Sequence, residues 1–237
     1  MSENLSNIEV LVLVGGLGNR LRSVVSDVPK PMVRVDNKPF VEYLVKYLSN
    51  LGFKKICFLT GHLSEKVSDY FGDGSKMGLS IRYSVEDFPL GTGGCVKMAI
   101  GTSQFEEYLI LNGDTFFAIN PTEIFQSKEI LSMALCHVDD ISRYGEVILS
   151  KNVVSEFREK QALKHAGYIN SGMYYTDRKI LDYMPVGESF SLEKDVFPGL
   201  VKKHEIAGHI FKAPFLDIGI PEDFYKAESL IKEMRLY

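Results

Sequence analysis

Residues 12–32 read VLVGGLGNRLRSVVSDVPKPM. An apolar, β-branched run gives way to Gly15, Gly16 and Gly18, and the stretch closes on Lys30 held between Pro29 and Pro31. Glycines directly behind a strand let bare backbone approach a phosphate and offer it N–H donors. Arg20 adds a fork of donors suited to phosphate oxygens, and Lys30 a compact point charge. The flanking prolines restrict the backbone on both sides of Lys30 and favour an extended, preorganised presentation. Two common phosphate motifs are excluded. The Lys-Ser/Thr ending of a P-loop is absent, and Leu21 stands where a dinucleotide fingerprint needs its last glycine.

Working outward, the spacing predicts a strand over Ile8–Val14 and a helix entered at Pro39. Phe40, Tyr43, Leu44, Tyr47, Leu48 and Leu51 recur at helical intervals and Gly52 supplies the stop. Next come a strand at Ile56–Thr60, a helix at Ser64–Phe71, a strand near Leu79–Val85, a short helix after Gly93 and a strand at Tyr108–Leu111. Such alternation predicts an α/β fold with an open, mostly parallel sheet flanked by helices on both faces. The second half reads as mixed. Ser132–His137, Val147–Leu149 and Tyr168–Thr176 look like strands, Leu192 to Val201 marks one helix, and Phe224–Met234 marks another with Pro221 near its start. No composition break separates the halves, so residues 1–237 read as a single domain.

The chain of 237 residues is 45% hydrophobic and 24% charged, ordinary for a globular protein that buries a full core. A net charge of −4 argues against nucleic acid or a membrane surface as partner. The opening is nevertheless locally basic (Arg20, Arg22, Lys30, Arg34, Lys38), which fits one small anion bound at one place. No run is long enough to span a bilayer, and MSENLSNIEV carries no secretion signal. Cys57, Cys95 and Cys136 are scattered and odd in number, unlike a disulfide framework or a CxxC zinc site, and read as buried small hydrophobes. The histidines show neither metal-ligand spacing nor a triad partner. A cytoplasmic location fits these features.

GGLGNRL (Gly15–Leu21), a spacer of seven residues, then PKPM (Pro29–Met32) resembles the signature of the sugar-1-phosphate nucleotidyltransferases. It departs at Asn19, where threonine is usual, and at Ser23, where proline is usual; neither position supplies a charge. RSVVSDVPKPM is particularly similar to the heptose 1-phosphate guanylyltransferases. The resemblance implies a Rossmann-like, GT-A-like nucleotidyltransferase fold.

Two acidic turns extend it. NGD (Asn112–Asp114) and DIG (Asp217–Gly219) each follow an apolar strand end, so Asp114 and Asp217 can converge at one sheet edge. Alone, Asn, Gly and Asp make ordinary turns. The resemblance implies that both aspartates hold Mg²⁺, a cation suited to hard oxygen ligands.

By the same resemblance, the nucleotide is bound by Leu13, Gly15, Gly16, Gly18, Arg20, Lys30 and Asp114, with Gly91, Thr92 and Gly94 of PLGTGG packing on base and ribose. Glu86 stands where thymidylyl relatives carry glutamine. A carboxylate only accepts hydrogen bonds, so it suits the adjacent donors of guanine and repels the oxygens flanking the single donor of uracil or thymine. The sugar phosphate would meet Asn112, Tyr144 and Gly145 of RYG, Glu159 and Lys160 of FREK, Asn170 of NSGMY and Glu193 of SLEKD. Gln161 replaces the proline that usually follows FxEK.

The reading that results is transfer of GMP from GTP to a sugar 1-phosphate, with heptose favoured, giving a GDP-sugar and pyrophosphate, with Arg20, Lys30 and Asp114 catalytic. Mannose or glucose 1-phosphate with another NTP is the alternative. A glycosyltransferase or a non-catalytic nucleotide-sugar binder belongs to another class. The chain would act as a monomer or homodimer.

Overall fold

The computed structural model describes residues 5–15, 27–158, 164–187, 189–219 and 221–233. Strand β1 (Ile8–Leu13) is an interior strand, with Val10, Leu11 and Val12 fully buried. Val10 and Val12 face one core cluster and Leu11 faces the other, as expected of a strand covered on both sides.

The chain continues through a small hairpin, β2 (Arg34–Val35) and β3 (Lys38–Pro39), into α1 (Phe40–Leu51). Helix α1 ends where expected, on Gly52 at φ 105°, whose N–H returns to Leu48 and Ser49 carbonyls. Then follow β4 (Lys55–Thr60), α2 (Ser64–Phe71), β5 (Ser80–Val85), α3 (Gly91–Gly101), β6 (Glu107–Asn112) and β7 (Thr115–Phe117). The remainder comprises β8 (Leu131–Val138), β9 (Glu146–Ser150), β10 (Val153–Arg158), β11 (Gly167–Asp177), α4 (Phe197–Lys202), β12 (Ile206–Phe211), β13 (Phe215–Asp217) and α5 (Pro221–Glu233). A π-helical turn, Leu192–Val196, leads into α4.

Nine strands form one sheet in the order β5-β4-β1-β6-β11-β8-β12-β10-β9. Its first four strands are mutually parallel, β11 runs antiparallel to β6 and β8, and β12 is parallel to β8. The expected open α/β sheet is observed, parallel over its first four strands and mixed where strands of the second half continue it with mainly antiparallel pairings. From β1 the chain moves outward to β4 and β5, then returns to place β6 on the other side of β1. That reversal opens a crevice beyond the carboxyl ends of β1 and β6, where such sheets bind ligands.

The structure differs from the sequence expectation in several elements. Helix α3 begins at Gly91, so the glycines of PLGTGG lie inside its first turn. Strands β10 and β12 are additional. Gly208 in the middle of β12 reads as a breaker, but the Leu149 side chain packs over it, and a Cβ there would stand 2.5 Å from Leu149 Cδ2 unless that side chain shifted.

All three cysteines are free and buried, and burial pushes the Cys57 and Cys95 thiols up to about 12 and Cys136 to about 11. Among the described residues no helix is long and apolar enough to cross a membrane.

At the opposite edge of the sheet, buried Glu9 accepts a fork from Arg82 at 2.6 and 2.7 Å and a third bond from Ser103 Oγ at 2.7 Å. These bonds tie β1 and β5 to the segment after α3. Removing one partner of a buried pair leaves an uncompensated charge. Arg82→Met is expected to lower the unfolding free energy by about 3 kcal/mol, read by urea denaturation. Adding Glu9→Gln should restore part of that loss.

Candidate active site

The ends of β1 and β6 meet at Gly113. Its N–H donates to the Leu13 carbonyl at 2.9 Å, and an added Cβ would stand 2.7 Å from that oxygen and 3.3 Å from Pro31 Cβ. Only glycine lets NGD lie this close to both the first strand and the PKP segment. Lys30 itself is not extended, as the flanking prolines suggest, but opens a single 3₁₀ turn, Lys30–Met32. Pro31 is accommodated there because an early helical position needs no N–H partner. The turn closes with Met32 N donating to the Pro29 carbonyl at 2.8 Å.

This placement brings Lys30 Nζ to 2.5 Å from Asp114 Oδ2 and 3.9 Å from Asp217 Oδ1. Asp217 arrives through the β7–β13 pairing, which sets it opposite Thr115. Its Oδ1 also accepts the Gly219 N–H at 2.7 Å. The three side chains are 16%, 32% and 24% exposed, so the cluster is half-buried and open on one side. The expected convergence of Asp114 and Asp217 is thus observed. The ammonium group marks a point that oxygens of both carboxylates reach, and two hard oxygen donors around one cation fit Mg²⁺. Among the described residues no group of three or more His, Cys, Asp or Glu could hold a metal, so a cation here would complete its shell from phosphate and water.

Glu86 follows β5 and turns toward the end of β1. Its Oε2 accepts the Leu90 N–H at 2.9 Å, which fixes the Asp87–Leu90 loop. A Cβ on Gly61 would stand 2.6 Å from Oε1, and one on Gly15 would stand 3.5 Å from it. Gly61, which sequence reading passed over, is therefore the residue that gives the Glu86 carboxylate its place. The Gly15 N–H is committed to the Leu59 carbonyl at 2.9 Å. Backbone donors for a phosphate would have to come from the rest of the glycine loop. Gly16, Gly18, Arg20, Glu159 and Lys160 lie outside the described residues.

Helix α3 gives Gly91 and Gly93 a packing role. A Cβ on Gly91, at φ 71°, would meet the Phe190 carbonyl oxygen at 2.6 Å, and one on Gly93 would meet the Phe190 ring at 2.4 Å. The Phe190 carbonyl also accepts the N–H groups of Gly93 and Gly94 at 3.0 and 3.3 Å. Thr92 Oγ1 donates to Glu193 Oε2 at 2.7 Å and accepts the Leu192 N–H at 2.9 Å. Ser191 Oγ donates to the same carboxylate oxygen at 2.7 Å. The expected base-side and sugar-side residues Thr92 and Glu193 are thus in direct contact, a link with no signal in the sequence.

Of the remaining expected residues, Asn112 and Asn170 lie near the β6–β11 junction, whereas Tyr144 and Gly145 pack on other strands. The Asn112 side chain fills the space a Cβ on Gly172 would need, 2.4 Å from Asn112 Nδ2. Asn170 donates to Tyr174 OH at 2.7 Å and accepts the Gly172 N–H at 2.9 Å, which shapes the irregularity in β11. The Tyr144 ring packs edge-on to Phe215 at 6.4 Å, and a Cβ on Gly145 would approach the Arg158 carbonyl at 3.1 Å. Tyr144, Arg143, Lys226 and Asp217 line a cleft of about 340 Å³ that opens beside the Lys30 cluster.

Residues 9–234 match the family described as Nucleotidyl transferase. The chain belongs to that family. It is 40% identical over 234 residues to D-glycero-alpha-D-manno-heptose 1-phosphate guanylyltransferase of Aneurinibacillus thermoaerophilus, covering 97% of this chain and 100% of that protein. A Campylobacter jejuni protein of the same name is 37% identical, with 92% and 97% coverage. HddC from Yersinia pseudotuberculosis, crystallised with GMP-PN, superposes with a TM-score of 0.82 at 33% identity, covering 93% of this chain and 98% of that one.

The Thr92 hydroxyl aims Glu193, and hydrogen bonds to a charged group contribute about 1.5–3 kcal/mol. With Glu193 read as the sugar-facing carboxylate, Thr92→Val is expected to raise the KM for a sugar phosphate about tenfold, with a smaller change for the nucleotide. Thr92→Ser, which keeps the hydroxyl, should restore it in steady-state kinetics.

Proposed function

We propose that this protein transfers GMP from GTP to a sugar 1-phosphate, with D-glycero-α-D-manno-heptose 1-phosphate as acceptor, yielding a GDP-sugar and pyrophosphate. The observation that carries the proposal is the meeting of Lys30, Asp114 and Asp217 at the crevice between β1 and β6, with Glu86 beside Gly15 on the same edge. The guanylyltransferase relatives, similar over nearly the full chain, support both the nucleotide and the sugar.

In the reaction an oxygen of the sugar phosphate attacks the α-phosphorus in line. The bond from that phosphorus to the bridging oxygen breaks, and its electron pair leaves on pyrophosphate. The attacking phosphate is already anionic, so no general base is needed, and the protein contributes positioning and charge neutralisation. Lys30, held beside the carboxylates, would stabilise charge at the α-phosphate. Arg20 would hold the departing oxygens, and Lys160 would draw in the sugar phosphate. Asp114 and Asp217 would hold Mg²⁺, which when bound neutralises phosphate charge and orients the reacting oxygens. Glu86 retains lone pairs on both oxygens beyond the one used by Leu90, enough to accept N1–H and the 2-amino group of guanine together.

A matrix of four NTPs against heptose, mannose and glucose 1-phosphates, read by pyrophosphate release, tests the proposal. The pair of GTP and heptose 1-phosphate should give the highest kcat/KM; a higher value for any pyrimidine nucleotide would overturn the base assignment. Glu86→Gln should narrow the preference for GTP over dTTP by about 1–3 kcal/mol, or roughly 5- to 150-fold. Asp114→Asn and Asp217→Asn should each lower kcat at least a hundredfold, equivalent to about 2.7 kcal/mol of transition-state stabilisation. Either variant turning over near the wild-type rate would remove that aspartate from the assignment.

A further inference from the structure

Lys30 holds the position that a bridging cation would take. Its ammonium group contacts Asp114 at 2.5 Å and stands 3.9 Å from Asp217, with only 16% of the side chain exposed. A lysine recruited only to greet a phosphate could point into the open crevice. This one instead points back into the acidic pair, and the 3₁₀ turn that starts at Lys30 packs Pro31 against Gly113, which fixes its backbone beside Asp114.

Two consequences follow from charge alone. The ammonium compensates the two carboxylates, which would otherwise repel each other in a half-buried site. It also opposes any divalent cation, because Mg²⁺ must come within about 2.1 Å of the same oxygens, where it would face a like charge at contact distance.

We infer that Lys30 is a built-in counter-ion that keeps the Asp114–Asp217 pair closed to free divalent cations until nucleotide arrives. The polyphosphate then gives the ammonium a stronger anionic partner. Lys30 swings from the carboxylates to the phosphates, and the vacated oxygens accept the cation that travels with them. One residue thereby changes partners between two states: internal salt bridge before binding, phosphate contact after. Cation and nucleotide affinities become positively coupled, and such coupling is reciprocal. The protein would take the metal–nucleotide complex in preference to free metal. The inference rests on the reading of Asp114 and Asp217 as the metal pair.

The test is binding of Mn²⁺ to nucleotide-free protein, followed by the electron paramagnetic resonance signal of free Mn²⁺. Wild type should bind weakly. Lys30→Met, which keeps the alkyl stem and removes the charge, should bind one Mn²⁺ at least tenfold more tightly. Adding Asp114→Asn to Lys30→Met should abolish the gain. Lys30→Gln provides a second neutral side chain, and thermal melting confirms that each variant is folded. Equal affinity of wild type and both neutral variants would overturn the inference, as would a gain that survives Asp114→Asn. The titration contains neither sugar nor nucleotide, so its failure is separate from failure of the pyrophosphate assay. An active guanylyltransferase whose Lys30→Met form binds Mn²⁺ no better than wild type sinks the counter-ion role alone.

Discussion

The contact between Gly113 and Leu13 sets the distance on which the site depends. It is one backbone hydrogen bond of 2.9 Å, in a space with no room for a Cβ. Because β1 and β6 run parallel and in register up to Leu13 and Asn112, their next residues leave the sheet side by side. Gly113 then lets the NGD turn fold against the PKP turn. Any larger residue would push the two turns apart, and with them Lys30 from Asp114. The charge cluster is therefore a product of sheet registry and one missing side chain. Asp217 is added by a separate short pairing between β7 and β13.

Around that point the protein uses its polar residues mostly to hold one another. Glu86 fixes the loop before α3, Thr92 fixes Glu193, and Asn170 fixes the turn of β11. Each retains hydrogen-bonding capacity after doing so. That arrangement is what preorganisation requires, since a side chain already locked by a neighbour loses little further freedom when a ligand binds.

Much of the first half was legible because its signals are strong: long apolar runs, helical periodicity from Phe40 to Leu51, and Gly52 at the turn. Strand-end logic also anticipated that Asp114 and Asp217 would meet, although they lie far apart in the chain. Less was visible where a residue's role depends on a distant partner. Gly91 reads as a ligand-facing glycine, yet its close neighbour is Phe190, which no local pattern links to it. Strand β12 was hidden by Gly208, over which the Leu149 side chain packs. Three-residue strands such as β7 and β13 are too short to show any period. Lys30 was expected in extended backbone because proline favours it; tertiary packing against Gly113 produced a 3₁₀ turn instead.

The position of β11 bears on how the chain reaches this state. It lies between β6 and β8, so the two halves of the sheet join through a strand that is synthesised after both neighbours. Until it inserts, β6 presents a long unpaired edge of buried-type residues, Tyr108 to Leu111, and β8 presents another. Such edges recruit strands from other chains. Insertion of β11 covers one edge of β8, and the sheet is complete only when β12 pairs between β8 and β10, so chains that end before residue 206 would be the aggregation-prone stage of biosynthesis.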